Sequence, residues 1–133
     1  LIGGHQMSCQ SNFRNEIFNK LHFENGINFI NLIHPSVLVD KTSKIGMGNI
    51  ILPNCHIGPF AKIGNNNFIS AFCNIEHHCT LGSSCTFGPG VMFSGHVNIE
   101  NSVKFGTGIY VEPKVKISSD QFIKSGSILT KDT

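Results

Sequence analysis

The sequence predicts an all-β fold: a left-handed parallel β-helix of hexapeptide repeats over residues 33–133, preceded by a short β-α-β segment over residues 1–32. Three observations predict it. Every sixth residue from Ile33 is aliphatic or Phe: Val39, Ile45, Ile51, Ile57, Ile63, Ile69, Ile75, Leu81, Phe87, Phe93, Ile99, Phe105, Val111, Ile117, Ile123 and Leu129, with no insertion. The fifth place of each hexad is mostly small or β-branched, as at Val37, Ser43, Cys55, Ala61, Cys73, Cys79, Cys85, Val91, Val97, Val103, Val115 and Ser127. Gly or an acid often follows the first place, as at Gly46, Gly58, Gly64, Glu76, Gly82, Gly88, Glu100, Gly106 and Glu112.

A fixed period marks a solenoid, and a period of six is that of the parallel β-helix. Each hexad supplies a short strand and a corner, with its first and fifth residues facing in. Three hexads close one triangular coil, so residues eighteen apart stack at the strand spacing of about 4.8 Å. The left-handed coil known for this repeat is an exception to the right-handed crossover rule. The run gives about five and a half coils.

Residues 1–32 differ in kind. Leu1-Ile2-Gly3-Gly4 reads as a strand end and a tight turn. Residues 11–24 read as a helix, because Phe13, Ile17 and Leu21 recur every four residues; Ser11 would cap its start and Asn25-Gly26 would end it. Residues 27–32 then alternate like a strand. The segment is too small to bury a core alone. It is expected to be the tail of a larger α/β domain, or alternatively a cover for the open end of the solenoid. His34-Pro35-Ser36 opens the repeats. Asn49 and Asn67, eighteen apart at the inward place, are expected to form an amide ladder. Four of the five cysteines sit at the inward fifth place and read as small core fillers; Cys55 and Cys73 would stack. No CxxC occurs, which argues against zinc-cluster and redox motifs.

Charged residues make up 14% of the chain and the formal net charge is +2, too little for a nucleic-acid-binding face. No apolar run approaches the roughly 20 residues of a membrane helix, and the opening residues do not read as a signal peptide. A cytoplasmic protein without nucleic-acid or membrane partners is therefore expected.

The stretch with chemical potential is Asn74-Ile75-Glu76-His77-His78-Cys79-Thr80-Leu81-Gly82. Ile75 and Cys79 face in, so His77 and His78 fall at an outward corner. One coil above His77 is Gly95; one coil below is Pro59. An imidazole beside an unshielded main-chain N–H is the minimum set for acyl transfer, with a base for the nucleophile and a donor for the oxyanion. Two solvated corner histidines remain the alternative reading.

His34-Pro35-Ser36, the 75–82 stretch, Gly88-Pro89-Gly90-Val91, Ser94-Gly95-His96-Val97 and Gly126-Ser127-Ile128-Leu129-Thr130-Lys131-Asp132 together resemble the bacterial sugar O-acyltransferase family. That family includes sialic acid O-acetyltransferases and UDP-4-amino-sugar N-acetyltransferases. The resemblance implies an acetyl-CoA-dependent homotrimer acting on a sugar or nucleotide-sugar in surface-glycan biosynthesis. It implies His77 as catalytic base and Gly95 as the amide contacting the thioester carbonyl. Thr107 and Ser125 would hold the pantetheine arm, and Gly3 and Gly4 would be a remnant of the sugar-nucleotide domain. His78 stands where the family places a carboxylate after its base, with Glu76 on the other side; Ser70 and Thr86 stand at positions where the family carries an Asn and a second His that bind substrate. Two other classes compete. One is a β-helix scaffold or binding module without catalysis. The other is a metal hydratase of the γ-carbonic-anhydrase type, which needs two histidines five apart; no pair here has that spacing. His78 and His96, which stack, would supply at most two ligands from one chain, so no metal is expected.

Overall fold

The computed structural model describes the backbone from Met7 to Thr133 and the side chains from Phe13 onward. Seventeen two-residue strands, β1 (Leu32–Ile33) to β17 (Ile128–Leu129), follow one another at the six-residue period. Every third strand joins the same sheet, giving three all-parallel sheets of six, six and five strands. We call the faces A, B and C; they begin at Leu32–Ile33, Leu38–Val39 and Lys44–Ile45. The register is eighteen residues throughout, as in Phe68 against Thr86 and Asn74 against Met92. This is the expected solenoid.

The first and fifth places fill the tube. In the middle coils Ile57, Ile75, Phe93, Cys79, Val97 and Val115 are all buried. Large and small residues complement each other: Phe87 and Phe105 stack with centroids 4.8 Å apart, and Phe93 meets Phe105 edge-on. The fifth places around them are Cys85, Val91, Val97 and Val103. Cys55, Cys73, Cys79 and Cys85, at the inward fifth place, are free and buried. Burial pushes the Cys79 and Cys85 thiols up to about 11. The hydrogen bond with Cys55 and burial push the Cys73 thiol up as well.

The asparagine ladder forms and extends one rung further back than the repeats suggested. Asn49 N–H donates to Asn31 Oδ1 at 2.8 Å, Asn67 N–H to Asn49 Oδ1 at 2.9 Å, and Cys85 N–H to Asn67 Oδ1 at 2.8 Å. The amide nitrogens of Asn49 and Asn67 donate to Gly64 O and Gly82 O. These buried amides close the main-chain groups of one corner.

A feature outside the two inward places shapes most corners. The fourth residue of the hexad takes φ near +60°, at Asn54, Phe60, Asn66, Phe72, His78, Ser84, His96, Ser102, Lys114 and Asp120. From Asn66 onward its N–H bonds the third-place carbonyl one coil back, as His78 N–H does to Pro59 O and His96 N–H to His77 O, whereas the Asn54 and Phe60 N–H groups donate to Ser36 Oγ and Thr42 Oγ1. That bond offsets a conformation costing a non-glycine residue about 1–3 kcal/mol.

The N-terminal part departs from expectation. Helix α1 spans Met7–Asn19 and continues as a wider turn over Lys20–Glu24. Ser11 therefore lies inside the helix, not at its cap, because nothing in Met7-Ser8-Cys9-Gln10 breaks it. Asn25-Gly26 does end it, with Gly26 at φ 68° and its N–H on His22 O. The strand expected over residues 27–32 is absent up to Asn31; Ile27 and Ile30 are exposed, and only Leu32 enters β1. Asn31 instead takes an inward place of the coil. The helix lies along the C–A corner over the first three coils. Arg14 Nη2 donates to Asn66 O, Cys85 O and Thr86 Oγ1, and Phe18 packs at Gly48. Ile33 and Val39 of the first coil stay partly exposed, so the helix covers the side of the tube and not its end. Leu1 to Gly4, including the strand end and Gly3-Gly4 turn read there, lie outside the described residues.

Replacing Asn67 by Leu leaves the Cys85 N–H and Gly82 O without partners, each costing about 1–3 kcal/mol. A fall of at least about 2 kcal/mol in denaturant unfolding is the expected outcome. In the native protein at pH 8, the thiols of Cys79 and Cys85 should resist an aromatic disulfide reagent that labels them after unfolding; peptide mass mapping reads this directly.

Candidate active site

The B–C corner carries the chemistry. Each coil reaches it through a face-B strand, turns through two outward residues and enters face C. The third-place column there reads Lys41, Pro59, His77, Gly95, Pro113, Lys131, and the fourth-place column Thr42, Phe60, His78, His96, Lys114, Asp132. Pro59 below and Gly95 above give the His77 ring room to lie along the column.

The ring takes that room over Gly95. A Cβ at position 95 would stand 2.5 Å from both Cε1 and Nε2 of His77 and 3.1 Å from Nδ1. No substituent other than hydrogen fits at 95 with the ring in this place. The Gly95 N–H has no acceptor among the described residues. The C–A corner shows why. There each third-place N–H donates to the side chain one coil on: Asn65 N–H to Ser83 Oγ, Ser83 N–H to Asn101 Oδ1, Asn101 N–H to Ser119 Oγ. Above Gly95 the neighbour is Pro113, whose side chain offers no acceptor.

His77 and His78 touch through their Nδ1 atoms at 3.2 Å. One of the two donates. If His77 carries its proton on Nδ1, its lone pair lies on Nε2, the atom over Gly95. His78 is itself packed between Phe60, 4.9 Å away by centroid, and His96, at 4.8 Å and 13°. The His96 imidazole is held below its ordinary pKa by partial desolvation and by the charges of His78, His77 and Lys114.

Glu76 sits at the end of the face-B strand. Its Oε1 accepts the Asn74 amide at 3.1 Å, and Asn74 Oδ1 accepts His56 Nδ1–H at 2.6 Å. The Asn74 hydrogen bond, the His77 main-chain N–H and the His56 and His77 imidazoles hold the Glu76 carboxyl below the usual carboxylate range. The carboxylate thus meets His77 through its main chain, not its ring. His56 and Asn74 were not foreseen, although their eighteen-residue spacing stacks them.

The other expected residues fall elsewhere. Ser70, Thr107 and Ser125 share the A–B corner, where Thr107 N–H donates to Ser125 Oγ at 3.0 Å. Thr86 opens a face-A strand and its hydroxyl is taken by Arg14 of α1, so it joins neither group. The ligand count also changes. One ring nitrogen from each of His77, His78 and His96 lies within 4.8 Å of the other two, so one chain gathers three imidazoles, not two, because His77 is the sequence neighbour of the stacked His78. Among the described residues, no helix is long and apolar enough to cross a membrane.

Comparison with known proteins agrees with this architecture. The family model for bacterial transferase hexapeptide repeats matches residues 42–75 and 60–95. A search of curated proteins found no match. Among solved structures, PerB of Caulobacter crescentus, in complex with CoA and GDP-perosamine, superposes with a TM-score of 0.87 at 27% identity, covering 92% of this chain and 58% of that one. A variant of perosamine N-acetyltransferase from the same organism, also with CoA and GDP-perosamine, gives 0.87 at 26%, with 92% and 58% covered. The acetyltransferase domain of PglB from Neisseria gonorrhoeae, in complex with acetyl coenzyme A, gives 0.87 at 20%, with 92% and 59% covered, a likeness of fold. The chain therefore spans just under three-fifths of the solved chains it resembles. The repeat, the three-faced solenoid and the family-model match over residues 42–95 make the chain similar to the bacterial hexapeptide-repeat transferases.

Proposed function

We propose that the protein is an acetyl-CoA-dependent acetyltransferase that acylates a hydroxyl or amine of a sugar or nucleotide-sugar in bacterial surface-glycan biosynthesis, working in the cytoplasm as a homotrimer. The observation that carries this reading is the His77 ring seated over Gly95, beside a main-chain N–H with no acceptor among the described residues. The similarity to PerB, solved with CoA and GDP-perosamine, supports the choice of donor and acceptor class.

The reaction follows from that geometry. The acceptor oxygen or nitrogen attacks the thioester carbonyl carbon while His77 Nε2 takes its proton. The Gly95 N–H donates to the developing oxyanion. Collapse breaks the C–S bond, and CoA leaves as the thiol with the proton from His77. No acyl-enzyme is required, and the core cysteines are buried. His78 replaces the usual carboxylate: its Nδ1 accepts the His77 Nδ1–H and keeps the lone pair on Nε2. A neutral acceptor stabilises the imidazolium less than a carboxylate does. His78→Asp is therefore expected to raise kcat, and His78→Phe to lower it, with the assembly unchanged.

The base and the proposed donor-holding residues lie on different corners. One face of the tube separates them, six residues and at most about 20 Å. A neighbouring solenoid presenting its A–B corner to this B–C corner would unite them, which supports a site between chains. Exposed Leu38, Tyr110 and Ile128 on face B supply apolar surface for such packing.

His77→Ala should abolish turnover, a loss on the order of 10²–10⁴-fold, while light scattering still reports a trimer. Near-normal activity would remove His77 from the mechanism. Gly95→Ala forces the exposed ring aside and should cost on the order of 10²-fold in kcat with Tm nearly unchanged. Acetyl-CoA at millimolar concentration should raise the Tm of the wild type; no shift would favour a non-catalytic scaffold.

A further inference from the structure

Acyl transfer uses one histidine of this corner as base and a second to orient it. The three as a set have another capacity. His77 Nδ1 and His78 Nδ1 are 3.2 Å apart. Two nitrogens bound to one tetrahedral zinc, each at about 2.0–2.1 Å, stand roughly 3.3–3.4 Å from each other. That pair is already at ligand spacing. His96 stacks parallel to His78 and meets His77 edge-on at 5.2 Å, with all ligand nitrogens inside 4.8 Å. Rotation of the exposed His96 side chain closes the remaining gap, exchanging its stacking on His78 for ligation. The backbone beneath is fixed by the corner ladder, His96 N–H to His77 O at 3.0 Å and His78 N–H to Pro59 O at 2.9 Å.

We propose that the B–C corner binds a divalent transition ion, Zn²⁺ foremost, through His77, His78 and His96, with water completing a tetrahedron. Three imidazoles without a carboxylate suit zinc, copper or nickel and not the oxygen-seeking Mg²⁺ or Ca²⁺. Glu76, the nearest acid in sequence, is engaged by Asn74 and stays out of the ligand set. All three ligands come from one chain, unlike the interfacial arrangement weighed from the sequence.

A second step rests on the acyl-transfer reading. The His77 nitrogen facing His78 is Nδ1, and Nε2 lies over Gly95. An imidazole ligated through Nδ1 keeps its proton on Nε2. It then has no lone pair for the acceptor, so the bound ion silences the base.

The test is calorimetric titration of ZnCl₂ into chelator-stripped full-length protein, with Co²⁺ absorption reporting coordination geometry. One ion per chain and a tetrahedral cobalt spectrum are expected. His96→Ala and His78→Ala should each weaken binding by more than the roughly 10–100-fold typical of losing an outer-shell partner. The double variant should bind no ion at this corner, and His34→Ala should match the wild type. Circular dichroism without metal checks that each variant is folded. No binding at millimolar Zn²⁺, or unchanged affinity in the folded double variant, overturns the site. Zinc should also inhibit transfer by the wild type, and His96→Ala should relieve that inhibition relative to its own metal-free rate. Ion binding at these residues without loss of transfer overturns the second step, and with it the base role of His77, while the ion site stands.

Discussion

Every feature of this molecule depends on the parallel main-chain ladder that fixes the eighteen-residue register. Leu38 N–H on Cys55 O, His56 N–H on Cys73 O and Asn74 N–H on Val91 O are three rungs of one such ladder. Because the rungs never slip, a side chain meets the same place of the hexad above and below it. The chain becomes a set of columns, and each column solves one problem. Phe87 and Phe105 stack because they share one; Asn31, Asn49 and Asn67 share another and close the main-chain groups of a corner. His77 can lie flat because the residue above it in its column is Gly95.

The corners show how one device serves both stability and chemistry. At the C–A corner, alternating Asn and Ser side chains take up the third-place N–H groups, and helix α1 covers the result with Arg14 and Phe18. At the B–C corner, proline and glycine replace those acceptors, and the freed N–H becomes a candidate oxyanion donor. The positive-φ residue at the fourth place turns successive side chains into one outward stack. That stack sets Phe60, His78 and His96 face to face and brings His78 against His77. The close approach of three imidazoles is thus a product of the turn geometry as much as of the residue types.

The tube was legible in the sequence because it obeys a rule of local arithmetic. The aliphatic first place, the small fifth place and the pairing of His77 with Gly95 are all statements about separations of six and eighteen. The same arithmetic places Thr107 and Ser125 away from His77, since twelve residues from Gly95 to Thr107 lead to another corner. Contacts that do not follow the period were not legible. Arg14 reaches Thr86 across 72 positions, and nothing in either sequence neighbourhood marks the pair. The alternation over residues 27–32 looked like a strand because apolar and polar residues happen to alternate there; Asn31 was already serving the solenoid column behind it. The third imidazole was overlooked for a different reason: His77 and His78 are sequence neighbours on a turn, where the outward directions converge, whereas on a strand they would diverge.

The central claim is that position 95 supplies the oxyanion donor and position 77 the base. A crystal structure of the protein with acetyl-CoA tests it most directly. The account expects the thioester carbonyl oxygen within hydrogen-bond distance of the Gly95 N–H, with His77 Nε2 facing the carbonyl carbon. Acetyl-CoA bound with its thioester on another corner, or a His77 ring turned away from Gly95 in the complex, would contradict it.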